Sequence, residues 1–96
     1  MLQNNGLTNL LKTQAHTLNA SRQVVAGATI SVDIPIGLSG YTPLAIAQIT
    51  GSGTGTFAFQ DLYFPNNTTC RLYLKNLATS AVTLNSITVT VLYIKA

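Results

Sequence analysis

Glutamate and tryptophan are absent from the 96 residues, and cysteine, histidine and methionine occur once each. Charge of either sign is scarce. Lys12, Arg22, Arg71, Lys75 and Lys95 face only Asp33 and Asp61, so ionised side chains make up 7% of the chain, where about a quarter is usual in soluble domains. Each shortage removes a class of reading. A single cysteine, Cys70, excludes an intrachain disulfide, so the fold must stand on packing. One histidine and two aspartates leave general acid–base chemistry without its usual pairs, and no elbow sequence presents a nucleophile. His16 and Cys70 cannot close a zinc site within one chain. The expectation is a non-enzymatic protein with no catalytic residue, no metal and no cofactor. The net charge of +3 is spread along the sequence rather than gathered in a basic stripe, which argues against nucleic acid as a partner. No apolar run approaches the roughly 20 residues of a membrane helix, so membrane insertion is not expected. The opening residues Met1-Leu2-Gln3-Asn4-Asn5-Gly6 lack the basic and apolar regions of a secretory signal, which predicts synthesis in a cytoplasm.

Thr, Ser and Asn fill the place of the missing charges, around a regular apolar alternation. In the last stretch, Ile87 to Lys95, the side chains of Ile87, Val89, Val91 and Tyr93 form one row and Thr88 and Thr90 open the other. That is the period of a strand with one face on a core. Leu92 and Ile94 finish the second row, so this face too is expected to be covered near its end, by an earlier segment or by another copy of the chain. A surface this poor in charge lacks the usual guard against association and suits a protein buried by self-association or held on a larger particle.

The rest of the chain is read in order. Residues 1–20 are expected to be a lead-in, linker or first strand. Leu7, Leu11 and Leu18 allow a short helical stripe, while Thr13, Thr17 and Asn19 are poor helix formers and an extended strand over 10–18 fits equally. Asn19-Ala20-Ser21 reads as a turn. Residues 21–96 form the domain proper. Ala28, Ile30, Val32 and Ile34 alternate with Thr29, Ser31 and Asp33 as a strand that Pro35 and Gly37 end. Leu44, Ile46 and Ile49, with small residues between them, predict a strand packed from both sides. Gly51 to Gly55 is a loop without the Lys and helix of a phosphate-binding loop. An aromatic-rich stretch follows from Thr56 to Phe64, then a loop at Pro65 to Thr68. Cys70, Leu72 and Leu74 alternate against Arg71, Tyr73 and Lys75, and Asn76 to Ser86 is a polar connection carrying Val82 and Leu84, with a short strand of its own as the other reading. Short strands with turn signals roughly every eight to twelve residues predict an all-β antiparallel β-sandwich, jelly-roll-like, with a closed barrel as the near alternative.

Two surfaces are candidates for contact. Tyr41, Tyr63, Asn66, Asn67 and Thr68 combine rings that cover an apolar sugar face with amides and a hydroxyl that reach sugar hydroxyls; the same residues are also ordinary strand and turn chemistry. Tyr73, Leu92 and Ile94 are the candidate interface between copies.

Val25 to Pro35, then Ser39 to Ile46, Leu74-Lys75-Asn76-Leu77 and the terminal Ile87 to Lys95, in that order, resemble the C-terminal β-sandwich head domains of tailed-bacteriophage fibre, baseplate and minor structural proteins. The resemblance covers residues 24–96. It implies a homotrimer with a stalk or linker entering from the N-terminal side. It also implies other virion tail proteins as partners, a host surface glycan or protein as target, and a virion location. The stretch ahead of the head is too short for a fibre shaft, which points to a small separate virion protein or a module of a longer chain. A monomeric carbohydrate-binding or adhesion module of a cell-surface protein is the alternative.

Overall fold

The computed structural model describes residues 10–52 and 56–96; the polar lead-in over 1–9 and the middle of the glycine loop lie outside the described residues. Six strands make up the fold: β1 (Leu11–Val24), β2 (Thr29–Pro35), β3 (Tyr41–Ser52), β4 (Phe57–Asn66), β5 (Thr69–Asn76) and β6 (Val82–Lys95). They form two three-stranded antiparallel sheets, ordered β1-β6-β3 and β2-β5-β4. The chain crosses between sheets at every connection except the β4–β5 hairpin.

The two central strands supply most of the core, because a central strand has neighbours on both sides and its inward row is sealed. Leu84, Ile87, Val89, Val91 and Tyr93 of β6 meet Cys70, Leu72 and Leu74 of β5, and all are fully buried. Val32 and Ile34 of β2, Phe57 of β4 and Val24 at the end of β1 close the same cluster. The inward row expected for β2 is the one observed, with Ala28 and Ile30 half-buried at its start.

One open choice is resolved and three local expectations change. The segment open to a helical or extended reading is the edge strand β1, paired with β6 from Leu11↔Ile94 to Val24↔Val82. Asn19-Ala20-Ser21 does not turn the chain back; it is a bulge within β1, where Ser21 takes a φ of 45° and the register to β6 shifts. Opposite that bulge, Leu84 and Ile87 are both buried although three apart, so β6 changes phase and runs on unbroken to Val82, where a polar connection or a separate short strand was expected. β3, expected to be packed on two faces, is an edge strand whose Leu44, Ala45 and Ala47 are exposed.

All four edges are blunted without much charge. β1 carries its bulge with Lys12 and Arg22, and β2 is short, with Asp33 and Pro35. β3 has Pro43 and two register shifts, and β4 has Pro65, Asp61 and two more. Bulges and prolines interrupt the row of free N–H and C=O groups that another strand would need.

Candidate functional site

The two sheets present opposite outer faces of different chemistry. On the β1-β6-β3 sheet the outward row of β6 is Ser86, Thr88, Thr90, Leu92 and Ile94. It is flanked in register by Leu11, Thr13, Ala15 and Thr17 of β1 and by Thr42, Ala45, Gln48 and Thr50 of β3. None of these side chains is charged. The hydroxyls partly satisfy one another, as where Thr17 Oγ1 and Thr88 Oγ1 lie 2.7 Å apart. Leu11, Leu92, Ile94 and Ala45 make the end near the chain terminus apolar.

The outer face of the β2-β5-β4 sheet holds Asp33, Arg71, Lys75 and Asp61, four of the chain's five cationic and two acidic side chains taken together. Pairing of β2 with β5 sets Asp33 opposite Arg71, and pairing of β4 with β5 sets Tyr63 opposite Arg71 from the other side. Arg71 therefore reaches both neighbours. Its Nε donates to Asp33 Oδ1 at 2.8 Å and its Nη2 to Oδ2 at 3.0 Å, a two-point pairing, while Nη1 donates to the Tyr63 hydroxyl at 3.3 Å. The hydrogen bonds from Arg71 hold the Asp33 carboxyl below its ordinary range, and the carboxylate in turn raises Arg71. Tyr63 and Tyr73 are diagonal cross-strand neighbours with ring centroids 6.4 Å apart and planes 20° from parallel. The hydrogen bond from Arg71 and then the neighbouring Tyr73 hydroxyl pull the Tyr63 pKa down, while the Tyr63 hydroxyl beside it pushes Tyr73 up.

The residues expected to contact a ligand are split. Tyr63, Asn66, Asn67 and Thr68 lie together at the β4–β5 hairpin. Asn66 Oδ1 accepts both the Thr68 amide and the Thr68 hydroxyl at 2.9 Å, so Asn66 and Thr68 are engaged in shaping the turn. Tyr41 belongs to the other sheet, half-buried against the core with Lys12 Nζ 5.2 Å from its ring centre. The residues expected at a copy interface are split as well: Leu92 and Ile94 lie on the uncharged face, and Tyr73 lies beside Tyr63 on the charged one. Alternation put each side chain on an outward row but could not say which strands share a sheet. For the same reason the sequence did not single out Asp33 and Arg71 as partners.

A third polar feature ties the sheets. The Gly37 amide donates to the Tyr93 hydroxyl at 2.9 Å, and His16 Nε2 lies within hydrogen-bond distance of the same oxygen at 2.7 Å. A neutral His16 with its proton on Nδ1 would accept the Tyr93 hydroxyl proton at Nε2. Burial lowers the His16 pKa from its ordinary 6.5 and raises that of Tyr93. A protonated His16 would leave the Tyr93 hydrogen without an acceptor. The folded chain thus binds this proton less tightly than the unfolded chain does, and stability present above 6.5 is lost as pH falls through the lower folded value. Urea midpoints at about pH 7.5 and about pH 5.5 should differ in that direction in the wild type and less in His16→Gln; equal shifts in both would remove His16 as the cause.

Burial and the nearby Asp33 raise the Cys70 thiol, which is not a reactive one. Among the described residues no cluster of metal-binding side chains and no pocket occurs, and no helix is long and apolar enough to cross a membrane. Comparison with protein-family models, with curated proteins and with solved structures finds no match.

Proposed function

We propose that this chain is a non-enzymatic structural module, a jelly-roll-like β-sandwich that associates with copies of itself through the outer face of the β1-β6-β3 sheet. In this reading it is a homotrimeric head or small structural protein of a phage tail appendage, acting in appendage assembly and attachment to the host surface. The single observation that carries self-association is the asymmetry of the two faces: one holds four charged side chains and the other none. A face of Leu, Ile, Ala and Thr loses little by leaving water, because it has no charge to desolvate. The blunted edges support a face-to-face contact over strand addition. The place on a phage appendage rests on the sequence resemblance alone.

Thr90→Cys tests the face directly. Cys70 is buried, so the new thiol is the reactive one. A short bismaleimide should link Thr90→Cys chains into dimers at micromolar concentration and leave Ser31→Cys, on the charged face, unlinked. Equal linking of both variants, or none of either, would contradict the proposed face.

A further inference from the structure

We infer that the outer face of the β2-β5-β4 sheet, at Tyr63, Tyr73, Arg71 and Asp33, is a binding platform for an extended, uncharged polysaccharide. The reading stands apart from self-association, since it uses the opposite sheet.

Hydrogen-bond capacity is the first argument. Arg71 uses Nε and one hydrogen on each terminal nitrogen to hold Asp33 and Tyr63, leaving two of its five N–H groups open. Each Asp33 oxygen accepts one of those bonds and keeps further acceptor capacity. Donors and acceptors thus stand side by side at fixed spacing, locked by the two-point pairing. Neighbouring hydroxyls of a sugar ring donate and accept in the same alternation. The Tyr63 oxygen accepts from Arg71 and keeps its own proton to donate.

The rings supply the second argument. Tyr63 is 40% exposed, and its near-parallel partner Tyr73 is held beside it by the cross-strand pairing. Such rings offer apolar area to the C–H face of a sugar with little entropy to lose, since sheet pairing and the Arg71 bond have already fixed them.

Charge and shape decide between occupants. Arg71 and Lys75 are offset on this face by Asp33 and Asp61, so nothing draws a polyanion, and a phosphate or carboxylate would have to displace Asp33 from Arg71. Nucleic acid and acidic glycans are disfavoured on that ground. No pocket encloses the site, and an open sheet face can grip only a ligand long enough to run across several residues. Binding by one copy is weak; several copies on one particle would raise it without any new contact.

Affinity electrophoresis of the full chain through gels containing dextran, yeast mannan, a mixed-linkage β-glucan or a galactan reads the proposal, with heparin and single-stranded DNA as polyanion probes. At least one neutral polymer should retard the wild type. Tyr73→Ala and Tyr63→Ala should each weaken that retardation roughly tenfold, and Asp33→Asn should weaken it while leaving the fold intact by circular dichroism. Tyr41→Ala, on the other sheet, should not. Retardation by none of the neutral polymers, retardation that survives loss of both Tyr63 and Tyr73, or a preference for heparin or DNA would each overturn the platform. Linking of Thr90→Cys chains is indifferent to these outcomes, so failure here would leave the self-association reading standing and the reverse.

Discussion

Asn76→Ala should lower the unfolding free energy by about 3 kcal/mol, read as a drop in urea midpoint at unchanged slope. Asn76 is the one polar side chain among the buried residues described, with no exposed surface. Its amide nitrogen donates to the carbonyls of Val24 at 3.1 Å, Val25 at 3.3 Å and Ser80 at 3.1 Å. Its side-chain oxygen accepts the Ala78 amide at 2.9 Å, and its backbone bonds to Gly27 and Ala28. One side chain therefore joins the end of β1, the β1–β2 turn and the β5–β6 connection. Truncation leaves the buried carbonyl at Val24 and three part-buried backbone groups without this partner. Asn76→Asp should cost at least as much, since it keeps the acceptor for Ala78 but sets a carboxylate against three carbonyl oxygens. Asn67→Ala, in the exposed hairpin turn, should stay within about 0.5 kcal/mol of the wild type. A loss at Asn76 no larger than at Asn67 would mean that these bonds do not hold the connections together.

The second large effect concerns assembly. Leu92→Asp combined with Ile94→Asp should weaken association at least a hundredfold, because each new carboxylate would have to leave water for a surface with no cation to meet it. The fold should survive, as both residues lie on the outward row of β6 and the core on the inward row is untouched. Circular dichroism and urea midpoints close to wild type, with a monomer in size-exclusion light scattering, are the expected pair of results. An unchanged oligomer would remove Leu92 and Ile94 from the interface. Tyr73→Asp, on the other sheet, should leave association intact, which separates two residues grouped with the third on sequence grounds.

What was legible in the sequence follows from the range over which each signal acts. Alternation is local, so the rows of β2, β5 and the second half of β6 could be read directly, and with them most of the core. It fails wherever the backbone breaks its own period. Leu84 and Ile87, three apart yet both buried, hid the continuity of the start of β6 with the rest of the strand, and Ser21 made a bulge look like a turn. Small residues on β3 suggested burial on two faces, but Ala is equally at home on an exposed edge. Strand pairing is not local at all. It brings Asp33 to Arg71 across 38 positions and His16 to Tyr93 across 77, and no spacing in the chain announces either contact. The scarcity of charge pointed to unguarded edges, whereas bulges and prolines guard them. That scarcity falls on one face.

The mass of the wild-type particle at micromolar concentration, by sedimentation equilibrium, tests self-association most directly. The trimer proposed here predicts a species three times the 10.2 kDa of the chain, dissociating on dilution into folded or partly folded single chains. A well-dispersed species of 10.2 kDa that persists as concentration is raised, with the uncharged face open to water, would contradict it.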